Sequence, residues 1–228
     1  MTRTTQRLVG VGATLLACSV LVAPAASASA ADEPDDVTTS NFRAELAGSD
    51  LAKWDSLTPA QQQKAVAALN EVADSDAPPV TDADAKAIAP ELSVSSGSST
   101  VAVEAAAPTA TKGLARTMAA AAATYEVHSN YWKKFTVLGV TYTRADLDYY
   151  YTTGSGKVLA DHACVGKVSD HIPLRTITNV NNHWVAAGKG NCIVTWNVKR
   201  ADGWDGTVIT DQGMVVNGSK VEKTWGPQ

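Results

Sequence analysis

The chain has 228 residues and a formal net charge of −4, and its 38 alanines are divided 32 to 6 about residue 124. Aromatic residues run the other way, with Phe42 and Trp54 before that point and the remaining 12 of 14 after it. Large rigid apolar side chains bury the most area per residue, so this distribution excludes two equal globular domains and an all-helical enzyme. Past the N-terminus no apolar run is long enough to span a bilayer.

Arg3 and Arg7 precede an apolar run, Leu8 to Ala23, which gives way to the small residues Ala28-Ser29-Ala30. This order of charge, apolar run and small residues predicts a secretory signal peptide over residues 1–30. The rival reading is a lipoprotein signal acylated at Cys18, in Leu15-Leu16-Ala17-Cys18. Cleavage there would leave the apolar stretch Ser19 to Ala23 on the mature chain. Removal of residues 1–30 leaves two cysteines, Cys164 and Cys192. In an exported chain such a pair predicts one disulfide, closing a loop of about 28 residues for an entropic gain of about 3.5 kcal/mol. Two cysteines without CxxC spacing predict neither a zinc site nor a redox pair.

Residues 31–111 carry 4 basic and 14 acidic side chains, a net −10, whereas residues 112–228 carry 13 and 9, a net +4. Complementary charge suits an acidic tether or pro-segment lying against a mildly basic module. Plain solvation of an Ala/Asp/Ser/Thr-rich segment explains the acidity equally well. An excess of +4 is too small for a nucleic-acid face.

In the acidic region, 31–92, Thr58-Pro59-Ala60-Gln61 starts a helix, with Thr at the N-cap, Pro at the first helical position and Gln capping back. Ala65, Leu69 and Val72 follow at helical spacing. Thr81 and Asp84 repeat the cap, and Pro90 ends the second helix. Their stripes are mostly alanine, which predicts marginal helices that bury little. Residues 93–123, rich in Ser, Thr and Ala, read as a flexible linker. Within it, Lys112 to Ala123 reads either as a docking helix or as a protease-accessible hinge around Met118.

From Thr124 the apolar period becomes two. Tyr125, Val127 and Ser129 alternate with Glu126 and His128, and Tyr149 and Tyr151 face one way with Tyr150 facing the other. Ser155-Gly156, Gly188 and Asp202-Gly203 mark turns, and Asn217-Gly218 predicts a type I′ hairpin. Residues 124–228 are thus expected to form a mainly β module, a small antiparallel sandwich or barrel of 7–8 strands.

No motif in this module specifies a reaction. Asp161-His162 and Asp170-His171 bring carboxylate next to imidazole, the raw material for a small hydrolase. Adjacent strand residues, however, point to opposite faces. Gly154-Ser155-Gly156-Lys157 and Gly188-Lys189-Gly190 both fail the phosphate-loop pattern. GxSxG and HExxH are missing from the sequence, and no metal ligand set, cofactor or catalytic residue is expected. Asn217-Gly218-Ser219 matches the glycosylation sequon. The better lead is aromatic: Trp132, Tyr150, Trp184 and Trp204 are candidate exposed rings, the first and the last two expected in loops, whereas Trp196 is expected in the core. Exposed rings beside polar groups suit sugar stacking and protein interfaces.

The signal region, the Leu57-Thr58-Pro59-Ala60-Gln61 helix start and the closing module with one cysteine pair resemble small secreted proteins of high-GC actinobacteria. More distantly, the layout is similar to the small linker subunits of secreted streptomycete toxin particles. The resemblance implies an extracellular protein. The expected function is a secreted, non-enzymatic module binding a protein or glycan, or else an inhibitor or linker subunit of a toxin complex. No nucleic-acid partner is expected, nor a membrane one once the signal is removed. N-terminal sequencing and intact mass of the secreted form are expected to show a chain starting at Ala31 with both thiols oxidised. A start near Thr124 would instead mark the acidic region as a pro-segment.

Overall fold

Seven strands arise where the period-two alternation was read, and one where it was not. They are β1 (Leu92–Glu104), β2 (Thr124–Val137), β3 (Val140–Gly154), β4 (Lys157–Asp170), β5 (Arg175–Ala186), β6 (Lys189–Arg200), β7 (Thr207–Asn217) and β8 (Lys220–Trp225). The computed structural model describes residues 36–75, 79–105, 123–173, 175–200 and 207–226. Signal segment 1–30, Met118, Trp204 and the Asp202-Gly203 turn lie outside the described residues.

The strands form two four-stranded antiparallel sheets, ordered β1-β2-β3-β4 and β5-β6-β7-β8, packed as a β-sandwich. Three hairpins turn through a non-glycine residue at positive φ followed by glycine: Leu138-Gly139, Ser155-Gly156 and Ala187-Gly188, the type I′ signature. The last hairpin departs from expectation by one residue. Asn217 still pairs with Lys220, so the turn is Gly218-Ser219. Only Gly218 takes positive φ there (57°), which is the type II′ pattern with glycine first.

Between the sheets the core contains Leu147, Tyr149, Tyr151, Cys192, Val194, Trp196, Met214 and Val216, all at most 2% exposed. Tyr149 and Tyr151 stack with centroids 4.9 Å apart. Cys164 of β4 and Cys192 of β6 form the expected disulfide, with Cα atoms 5.5 Å apart, and it ties one sheet to the other. The sheets approach closely at Gly166, where an added Cβ would lie 2.5 Å from Val194 Cγ1. The edge strand β4 is closed at the same residue: Asn181 Oδ1 accepts from Gly166 N–H at 3.1 Å and Asn179 Nδ2 donates to its carbonyl at 3.0 Å. Satisfying an edge in this way protects it from pairing with other chains. Gln212, fully buried, accepts from the Trp196 indole at 3.1 Å and donates across the sandwich to the Tyr131 and Ala145 carbonyls.

The N-terminal region corrects the sequence reading in two respects. Residues 93–104 of the expected linker, with Leu92 before them, form β1, paired along its whole length with β2 from Leu92↔Val137 to Glu104↔Tyr125; residues 106–122 lie outside the described residues. The helices, moreover, bury a core that they share with one end of the first sheet. They are α1 (Thr39–Glu45), α2 (Gly48–Ser56), α3 (Pro59–Asp74) and α4 (Asp82–Ile88). The caps at Thr58/Gln61 and Thr81/Asp84 form reciprocally, as read from the sequence. Phe42 and Trp54, in helices the sequence reading did not anticipate, are both 0% exposed and meet edge to face at 5.0 Å. With Leu69 they pack on Phe135, Val137, Val140 and Tyr142 at one end of the first sheet. Pro34–Gln228 is accordingly one compact unit. Two widely spaced aromatics suffice because they meet each other and a sheet end, which composition counts do not register.

At this junction Lys133, the inward residue of β2 between Tyr131 and Phe135, is only 4% exposed. Burial lowers its ammonium to about 8, opposed by Asp84 of α4. Because the helices share a core with β2 and β3, Trp54→Ala is expected to destabilise the whole chain by about 3–5 kcal/mol. Urea unfolding followed by far-UV and near-UV dichroism should show one transition shifted as a unit. Loss of helical signal alone, with the β transition unmoved, would contradict the shared core.

Candidate functional site

The pleat of β3 sends Ala145, Leu147, Tyr149 and Tyr151 inward, and it sends Arg144, Asp146, Asp148, Tyr150 and Thr152 to the outer face of the first sheet. Register then builds rows across that face: Val101, His128, Tyr150 and Ala163; Ser99, Asn130, Asp148 and Val165; Gly97, Trp132, Asp146 and Lys167. The first and third rows are separated by four residues of β2, about 13 Å at strand rise.

Tyr150 is 38% exposed. Its ring stacks on His128 with centroids 4.5 Å apart and planes 4° from parallel. On its other side the cross-strand neighbour is Ala163, too small to cover an aromatic face. The middle row holds Asp148, a carboxylate only 5% exposed although it lies on the outer face. Its Oδ1 is 2.8 Å from His128 Nε2 and accepts from Asn130 Nδ2 at 3.0 Å, while Oδ2 accepts from Lys167 Nζ at 2.8 Å. Burial alone would raise this carboxyl, but the hydrogen bonds from Lys167, His128 and Asn130 outweigh it and hold it below the usual carboxylate range. The carboxylate therefore fixes three side chains around the exposed ring.

Trp132 is in strand β2 and half-buried, not in a loop. Its indole lies over Gly97, where an added Cβ would be 2.7 Å from Cζ2, and Arg144 sits over the ring 5.4 Å from its centroid. Arg144 is in turn held bidentately by Asp146, at 2.8 Å for both bonds. Only glycine lets the indole approach β1 in this way. Trp184 is also in a strand, β5, and is 40% exposed, but it belongs to the outer face of the second sheet. Its strand extends the expected Ile172 to Val180 run because β5 pairs with β6 to the end, Ala186↔Lys189. The structure therefore brings Trp132 and Tyr150 to one face and leaves Trp184 on the other; Trp204 lies outside the described residues.

The four imidazoles go to four places. His162 is the extra residue of a bulge in β4, opposite Tyr150/Tyr151. It reaches Thr152 Oγ1 at 2.7 Å and Glu126 Oε2 at 3.4 Å. Its neighbour Asp161 instead meets His183 Nδ1 at 2.6 Å. His171 is 3.3 Å from Ser169 Oγ, whereas Asp170 pairs with Arg175 and Thr143. Neither Asp-His dipeptide joins its own side chains. Among the described residues no three His, Cys, Asp or Glu side chains are grouped to hold a metal ion.

His128, Asn130, Asp148 and Lys167 were not singled out from sequence. Alternation in β2 and β3 assigns them a face, but the partners lie 20, 18 and 19 residues apart. Only register makes them meet. Comparison with protein-family models, curated proteins and solved structures finds no match. The class of the protein thus rests on its own geometry: a disulfide-bonded β-sandwich with helices packed on one end.

The bonds to Asp148 contribute stability that is fully present above the unfolded carboxylate value, about 3.9. That stability is lost as pH falls through the lower folded value. Asp148→Asn is therefore expected to lower stability at pH 7 by about 1–3 kcal/mol and to flatten the loss of stability below pH 4. Denaturant titrations across pH 2.5–7 would read both effects. Parallel acid limbs for the two proteins would contradict the assignment.

Proposed function

We propose that this chain is a secreted, non-enzymatic binding module that holds a glycan across the outer face of its first sheet. The reading rests on one observation above all: an exposed ring, Tyr150, open on one side and backed by His128 on the other, beside a carboxylate that fixes polar side chains around it. A pyranose presents a C–H face to an aromatic ring and hydroxyls to its flank. Asn130 and Lys167 stand on that flank, and Trp132 with Arg144 ends the face about 13 Å away. Pre-positioned side chains cost little ordering on binding. Export is supported by the charged and apolar N-terminal pattern and by the disulfide, which an oxidising compartment favours. No described helix is long and apolar enough to cross a membrane.

A second reading, an inhibitor or linker subunit that contacts protein, is favoured by Val101 and Val103, 60% and 63% exposed on the edge strand β1. An added strand could pair there through the backbone.

Retention of the purified full chain on insoluble polysaccharides, followed by titration with soluble oligosaccharides, tests the glycan reading. Tyr150→Ala is expected to weaken binding about tenfold, the scale of one stacking contact, without loss of the folded dichroism spectrum. No retention of the wild type on any polysaccharide, together with capture of a protein partner that Val101→Asp abolishes, would replace this reading with the second.

A further inference from the structure

The β2-β3 pairing is interrupted by a bulge near the end of the sandwich. Phe135 pairs with Thr143 and Thr136 with Thr141, so Tyr142 is the extra residue. Such a bulge re-aims side chains, and Tyr142 and Thr143 are both buried, 2% and 6% exposed. They open on a cleft of about 50 Å³ between the ends of the two sheets and the last turn of α3. Its walls are apolar: Val72, Phe135, Ala145, Val168, Ile177 and Trp196. A mostly apolar cleft with a few polar groups is the usual form of a small-molecule site.

Four polar side chains line it, Tyr142, Thr143, Arg175 and Thr210, and Tyr142 and Arg175 are incompletely satisfied. Tyr142 Oη is buried and has no hydrogen-bond partner among the described residues. Arg175, its side chain 13% exposed, has Nε 3.1 Å from Asp170 Oδ2, yet the N–H is not aimed at that oxygen and neither atom makes a hydrogen bond. The other end of the guanidinium reaches Thr143 Oγ1 at 3.5 Å, and Thr143 donates to Asp170 Oδ1 at 2.5 Å. A buried hydroxyl without a partner is destabilising, and native structures rarely leave one so.

We propose that this cleft binds a small uncharged molecule, apolar in body and carrying one carbonyl or hydroxyl oxygen, which accepts a hydrogen bond from Tyr142 Oη. Charge decides the class. Asp170 already neutralises Arg175, so an anionic head would enter an apolar cavity beside a second carboxylate, and a cationic head would find no free anion. Burial pushes Asp170 above its ordinary range despite Arg175 and Thr143, which agrees with a setting hostile to added charge. The site is internal and does not depend on the glycan reading of the outer face.

Heptan-2-one is the probe, added to the full secreted chain with its disulfide intact and followed by NMR. Saturable shifts are expected at the Trp196 indole N–H and the Ile177 methyls. Tyr142→Phe keeps the ring and removes the hydroxyl; it should weaken heptan-2-one about fivefold, as one net hydrogen bond implies, and leave toluene binding unchanged. Heptanoate at pH 7 should bind at least about tenfold more weakly than heptan-2-one. Absence of saturable shifts with both heptan-2-one and toluene would overturn the site. Equal heptan-2-one affinity in Tyr142→Phe would overturn the role of the hydroxyl, and tighter binding of heptanoate would overturn the uncharged class.

Discussion

The pleat of β3 is the constraint on which the rest of the molecule depends. This strand is central in the first sheet, and successive side chains along it have no choice but to alternate. Tyr149 and Tyr151 go to the core that binds the two sheets, while Asp148 and Tyr150 between and beside them go to the outer face. A one-residue slip would exchange the two sets. The disulfide between β4 and β6 and the close approach at Gly166 hold the second sheet against the inward set. The register between β2, β3 and β4 then assembles the outer one.

Where the alternation is interrupted, the molecule gains features that a regular sheet could not offer. The bulge at Tyr142 turns two adjacent side chains inward and leaves a polar floor under an apolar cleft. The bulge at His162 separates it from Asp161, sending one to Glu126 and Thr152 and the other to His183. One irregularity lies in the β2-β3 ladder and the other in the β3-β4 ladder, so core, face and cleft share one scaffold. Outer-face polarity is compatible with stability because the buried Asp148 is fully bonded, which removes most of the cost of placing a carboxylate there.

The helical region shows how composition misleads. Alanine-rich segments with few aromatics read as poor in buried surface, yet Phe42 and Trp54 meet each other and the end of the first sheet. Local signals were legible where local chemistry decides: the Thr58/Gln61 and Thr81/Asp84 caps, the turns at Ser155-Gly156 and Gly188, and the alternating tyrosines. Edge strand β1 was not legible, because Ser-Val-Ser-Ser-Gly-Ser-Ser-Thr has a linker's composition, and its pairing with β2 comes from a partner more than 20 residues away. The indole of Trp132 covers its Gly97, so a residue that reads as flexibility serves as a contact.

By itself the sequence determined the β class of residues 124–228, the cysteine pair, two of the four helix starts and the outward direction of Tyr150. Each of these depends on neighbours a few residues apart, through pleat, cap or turn geometry. Tertiary structure alone decided that Asp148 gathers His128, Asn130 and Lys167, that Trp184 stands apart from Tyr150, that the helices share a core with the sheet, and that Tyr142 faces a cleft beside Arg175. Those outcomes depend on register, bulge position and the meeting of distant strands, which no periodicity within a single segment specifies.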